Sequence, residues 1–149
     1  MRMLAVLVVC VAGVVSNAMA QAVALTAQPF SLAQVRLLDG PFKTAMEKNQ
    51  EVLLNMDVDR MLWAYHQHAG LPTKGERYGG WARKDCVGQI SGHYLSALSL
   101  MYVSSRDRAY KKRVDYMVSE LARIQKHYGN GYVGPVRPEV WQNTFDGSI

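Results

Sequence analysis

Tyr78, Trp81, His93 and Tyr132 are the side chains of this sequence best suited to touch a polar ring-shaped ligand. Tyr78 and Trp81 stand in Tyr78-Gly79-Gly80-Trp81 and Tyr132 in Gly131-Tyr132-Val133-Gly134. A tryptophan that follows two glycines offers a flat apolar face with a polar edge, on which a pyranose or furanose ring stacks. Trp81 can equally plug the end of a barrel, and Tyr78 and Tyr132 carry the same two readings. His93 can hydrogen-bond a ligand hydroxyl or pack as a satisfied helix histidine. Hydrolysis of a glycosidic bond generally takes two carboxyl groups facing each other across it. The acidic side chains near these aromatics are Glu76, Asp85 and Glu139, none with an evident partner, and no catalytic residue is assigned. His66 and His68 are two apart, which on a helix sends them in different directions, as suits packing or surface histidines rather than a shared metal site. The sequence has no Cys/His set spaced for zinc, no glycine-rich phosphate loop and no Gly-x-Ser-x-Gly elbow.

The elements that must hold these residues are helices. Asp39-Gly40-Pro41 reads as a turn and a helix start. Phe42, Ala45, Met46, Val52, Leu53 and Met56 then form an apolar stripe opposite Lys43, Glu47, Lys48 and Glu51. A second helical stretch begins at Asp57 or Asp59, both suited to a cap, carries Leu62, Trp63, Tyr65 and His66, and stops at Gly70 and Pro72. Leu71 to Lys84 is a loop. Val87, Ile90, Tyr94, Ala97, Leu98 and Met101 mark a third helix. After the link Ser104-Ser105-Arg106-Asp107, a fourth is capped by Asp107, striped by Tyr110, Val114, Met117, Val118, Leu121, Ile124 and Tyr128, and ended by Gly129. A last helix begins at Pro138-Glu139 and includes Val140, Trp141 and Phe145. Before all of these, Phe30 to Leu38 alternates enough to suggest a strand or extended arm.

Two long helices joined by a short link form an antiparallel hairpin. The loop before the third helix and the loop after the fourth must therefore share one end. Both are rich in glycine and aromatics, whereas the opposite end carries only the polar link, so the aromatic end is where function is expected.

Of the 149 residues 49% are hydrophobic and 19% charged, a globular composition. Met1-Arg2-Met3, the apolar run Leu4 to Val15 and the small residues up to Ala20 have the layout of a secretory signal peptide cut after Ala20. The run is shorter than the ~20 residues that span a bilayer, and Leu7-Val8-Val9 before Cys10 lacks the small residue of a lipoprotein signal. The expected product is secreted or periplasmic, with no membrane attachment after cleavage. Removing the leader lowers the net charge from +5 to +4 and leaves Cys86 as the sole cysteine: a buried hydrophobe, a reactive thiol or half of an intermolecular pair. Arg106, Arg108, Lys111, Lys112 and Arg113 cluster at a helix start and read as a solvated face, not a nucleic-acid groove.

The ordered set Val35-Arg36-Leu37-Leu38-Asp39-Gly40-Pro41-Phe42, Ala69-Gly70-Leu71-Pro72, Tyr78-Gly79-Gly80-Trp81, Ser91-Gly92-His93-Tyr94-Leu95-Ser96-Ala97-Leu98, Val114-Asp115-Tyr116-Met117 and Gly131-Tyr132-Val133-Gly134 resembles glycoside hydrolase families 127 and 146, the β-L-arabinofuranosidases. The resemblance runs from about Leu32 onward. It implies an (α/α)6 catalytic barrel acting on terminal β-L-arabinofuranosyl groups of plant glycans, with a zinc-bound cysteine as nucleophile and a glutamate as acid/base. In the family those residues and the zinc lie well downstream, and no position here corresponds to them, Cys86 included. The sequence departs from the pattern at Ala82, where the family has an acidic residue, and at Gly88-Gln89, where it has a Gly-His pair.

The resulting expectation is an all-α chain comprising a signal peptide (1–20), an N-terminal arm (21–38) and the first hairpins of an (α/α)6 barrel (39–149), truncated before its catalytic residues. With apolar stripes lacking partners, it is expected to be unstable or aggregation-prone alone. Substrate contacts are expected at Trp81, His93, Tyr78 and Tyr132, with no metal or cofactor held here and an arabinose-containing carbohydrate as partner. Two further readings are a polysaccharide lyase on a similar helical toroid, using tyrosine and histidine for proton transfer, and a secreted helical carbohydrate-binding or scaffold protein without chemistry.

Overall fold

The computed structural model describes residues 27–80 and 88–148. The expected leader, the first part of the arm, Trp81, Ala82, Asp85, Cys86 and Val87 lie outside the described residues. Among the described residues six helices follow in order: α1 (Pro41–Asn55), α2 (Val58–Met61), α3 (Trp63–His68), α4 (Gln89–Ser105), α5 (Arg108–Tyr128) and α6 (Pro138–Phe145). No strand occurs among the described residues, and none of the described helices is long and apolar enough to cross a membrane.

The α4–α5 antiparallel hairpin is the centre of the fold, with α1 against α4, α2 against α4 and α3 against α5. Leu98, Met117 and Ile124 have no exposed surface, and Tyr94 and Tyr110 are almost as deeply buried. Removing one such side chain from water contributes about 1.5–3 kcal/mol. The turn between the two helices is shorter than the four residues expected, because Ser104 and Ser105 remain helical. The Ser105 hydroxyl donates to the carbonyl of Met101 at 2.7 Å, so it continues the helix rather than ending it. Arg106 closes α4 in the left-handed region at φ 63°, and the Asp107 carboxylate caps α5 by accepting from the N–H of Ala109 at 2.8 Å.

Asp57 is the cap of the second stretch, its carboxylate accepting from Asp59 and Arg60 N–H. That stretch is broken at Leu62, whose ψ near 1° separates α2 from α3. Leu62 is fully buried there. The expected apolar stripe of α1 is only partly covered. Leu53 is buried and Met46 and Leu54 pack on the core, but Phe42 and Val52 are 78% and 55% exposed. Among the described residues α1 packs chiefly against α4, and its apolar residues span more of the circumference than one neighbour can cover.

Among its described residues, 27–38, the arm has no strand. Residues 32–34 form a turn, with Gln34 N–H donating to Ser31 O at 2.8 Å and the Gln34 side chain accepting from Ser31 N–H. Phe30 and Leu38 are largely exposed, so the alternation that suggested a strand has no pairing edge beside it.

Arg113 joins α1 to the hairpin. Its guanidinium donates to the carbonyls of Leu54 and Met56 at the C-terminal end of α1 and to the Tyr94 hydroxyl at 3.2 Å, while Tyr94 itself donates to Leu53 O at 2.6 Å. These are carbonyls that a helix terminus leaves without internal partners. A lysine cannot reproduce the fork. Arg113→Lys is expected to lower stability by about 1–3 kcal/mol, read as a lower urea midpoint; an unchanged midpoint would mean that water serves those carbonyls equally well.

Candidate functional site

The two glycine-rich loops meet at one end of the hairpin, as its topology requires. Gly88, the left-handed cap of α4 at φ 77°, sits so close to the Pro135 ring that an added Cβ would overlap it. Its carbonyl accepts from the Tyr65 and Ser91 hydroxyls, and His68 Nδ1 donates to Pro135 O. Residues of α3, the start of α4 and the loop after α5 are thus locked together.

Beside this junction lies a cavity of about 210 Å3 whose lining includes Arg60, Trp63, Gln67, His68, Arg77 and Tyr78. Tyr78 is held from two sides. Its hydroxyl accepts the N–H of Asp57 at 2.8 Å, and the Arg60 guanidinium lies 4.2 Å from its ring centroid. Arg60 in turn donates through Nε to Glu76 O at 2.9 Å. Arg77 stands 5.1 Å from the centre of the Trp63 ring. Such cation–aromatic stacking is worth about 0.5–2 kcal/mol depending on desolvation.

The expected contact residues do not form one set. Tyr78 lines the cavity. Tyr132 lies half-buried in the loop after α5, donating to Val136 O, accepting from Trp141 Nε1 at 3.1 Å and meeting Tyr128 edge-on at 5.2 Å between ring centroids; its hydroxyl is spent on shaping that loop. His93 is exposed on α4, outside the cavity lining. Trp81 lies outside the described residues. Glu76 and Glu139 are exposed. Among the described residues no group of three or more His, Cys, Asp and Glu could hold a metal ion.

Sequence reasoning missed Arg60, Trp63 and Arg77 as cavity residues; the available signal was an arginine three residues from Trp63 on a capped helix and another next to Tyr78. It also missed a polar cluster between α3 and α5. His66 is fully buried and Glu120 nearly so. His66 Nδ1 faces Leu62 O at 3.0 Å and Nε2 faces Glu120 Oε2 at 2.8 Å. The Leu62 carbonyl can only accept, so Nδ1 donates to it, an assignment from geometry. Nε2 stands between Glu120 Oε2 and Arg123 Nη2, the latter at 2.9 Å, and Arg123 Nη2 also donates to Glu120 Oε2 at 2.8 Å. Lys74, from the loop before α4, reaches the other Glu120 oxygen at 3.2 Å and donates to Tyr116 OH, which donates to Asp59.

Burial opposes the charge on Glu120, but hydrogen bonds from Arg123, His66 and Lys74 outweigh it and hold the carboxyl at about 2 instead of 4.5. Because the folded value is the lower one, this contribution is complete above pH 4.5 and is lost as pH falls toward 2. The difference corresponds to at most about 3 kcal/mol, less for the solvent screening of Lys74 and Arg123. Thermal unfolding between pH 5 and 2 is therefore expected to show a drop in midpoint that Glu120→Gln largely removes; equal slopes in both proteins would contradict the ion-pair assignment.

The described residues are helical, with one antiparallel hairpin, α4–α5, whose glycine-rich, aromatic loops gather at one end, consistent with a part of a helical barrel. The family model described as "Beta-L-arabinofuranosidase, GH127 catalytic domain" matches residues 34–148, and the chain belongs to that family. No curated protein matches the sequence.

Proposed function

We propose that this chain supplies the opening hairpins of the catalytic domain of an exported glycoside hydrolase that removes terminal β-L-arabinofuranosyl groups from arabinose-containing plant glycans, and that the bond-breaking residues lie outside it. The family match over residues 34–148 carries the reading. A cavity lined by Trp63 and Tyr78, beside the contact of Gly88 with Pro135, supports a carbohydrate ligand. The share of this chain is positional: it seats aromatic and cationic side chains at the sugar-facing end, while Lys74 ties the loop before α4 to α5 through Glu120.

The purified chain, offered a chromogenic β-L-arabinofuranoside, is expected to release no more arabinose than buffer does; turnover by the chain alone would overturn the assignment of chemistry to residues outside it. Export predicts that the product recovered outside the cytoplasm begins at Gln21 when its N-terminus is sequenced. A cytoplasmic product retaining Met1 would remove that part of the proposal.

A further inference from the structure

The cavity beside Gly88 has a one-sided polar lining. Arg60 and Arg77 bring guanidinium groups, Gln67 an amide and His68 a ring whose Nδ1 is already given to Pro135 O, while no carboxylate is among the described residues that line it. Arg60 uses Nε on Glu76 O, and its two Nη groups have no hydrogen-bond partner among the described residues. Arg77 is exposed and likewise unbonded among them. Trp63 and Tyr78 add aromatic surface beside the two cations. A neutral sugar is both donor and acceptor and carries no charge to match two guanidinium groups. A carboxylate accepts from guanidinium groups through charge-assisted hydrogen bonds about twice as strong as neutral ones. At about 210 Å3 the cavity is below the roughly 300–1,000 Å3 of drug-sized sites, which suits one sugar ring and not a chain of them.

We infer that this cavity binds a carboxylate-bearing sugar unit, a hexuronate, with Arg60 and Arg77 taking the carboxylate and the Trp63 and Tyr78 side walling the ring. This rests on the carbohydrate reading above and adds an acidic unit to the glycan recognised by this end of the domain.

Ligand-observed NMR titrations of the whole chain with D-galacturonate and with its neutral counterpart D-galactose test it. D-Galacturonate is expected to bind at least about tenfold more tightly, the scale of one charge-assisted contact, and high salt is expected to narrow the gap because the arginines are partly solvated. Arg77→Gln, at an exposed position whose fold is checked by its melting midpoint, is expected to remove most of the preference, and Arg60→Gln the rest. Equal binding of the two sugars would overturn the inference while leaving carbohydrate binding standing; binding of neither would overturn both. Displacement of D-galacturonate by acetate or inorganic phosphate at similar concentration would show a simple anion site and overturn the sugar assignment. A preference unchanged in both arginine variants would place the site elsewhere and overturn it as well.

Discussion

Glu120→Ala is expected to lower the stability of the fold by about 3 kcal/mol, among the largest effects of any single polar change in the chain. Removing one partner of a buried ion pair costs about 3–5 kcal/mol because the other charge is left without compensation. The low end applies because Lys74 and Arg123 have 40% and 45% of their side-chain surface exposed and can turn to water. His66 cannot, being fully buried, so its ring loses its Glu120 partner inside the protein. Replacing Glu120 by methionine together with His66 by leucine is expected to recover most of the loss, since removing both partners leaves no buried orphan. Urea titration of the three proteins decides it. A single variant as stable as the parent would show that the cluster contributes nothing measurable, and a double variant worse than the single would show that shape at His66 matters more than charge.

Gly88→Ala is expected to be comparably damaging, at about 3 kcal/mol, for steric rather than electrostatic reasons. Holding a residue with a Cβ at φ 77° costs roughly 1–2 kcal/mol, and the new methyl would meet the Pro135 ring and lie 2.9 Å from Tyr65 Cε2. Overpacking of that kind adds about 1–3 kcal/mol. The Pro135 ring has little room to retreat, because the carbonyl of the same residue is held by His68. The variant is therefore expected to loosen the contact between the loop after α5 and the start of α4, visible as faster amide exchange at residues 131–136. Adding Pro135→Ala is expected to restore part of the steric loss and none of the backbone strain. If Gly88→Ala melts with the parent, the packing of these two loops is looser than the contacts imply.

Much of this molecule was legible before any tertiary contact was known. The stripe from Tyr110 to Tyr128 and the caps Asp107 and Gly129 define α5, because period and capping are local properties that a sequence states directly. The hairpin topology followed from the short link, and with it the convergence of the two glycine-rich loops. The link itself was overestimated because serine reads as a helix stop, yet the Ser105 hydroxyl has the Met101 carbonyl within reach when the helix continues.

The sites divide along the same line. That Tyr78 and Tyr132 sit in loops at one end was determined by the chain alone, as was membership in a family built from such hairpins. Only the tertiary structure decided that Tyr132 spends its hydroxyl on Val136, that His93 faces solvent, and that Arg60, Trp63 and Arg77 share a cavity with Tyr78. The same holds for Glu120, which in the sequence is one more charge on a polar helix face. It becomes a buried anchor because α3 brings His66 from 54 residues away, and no local pattern records which distant element will cover a given helix face.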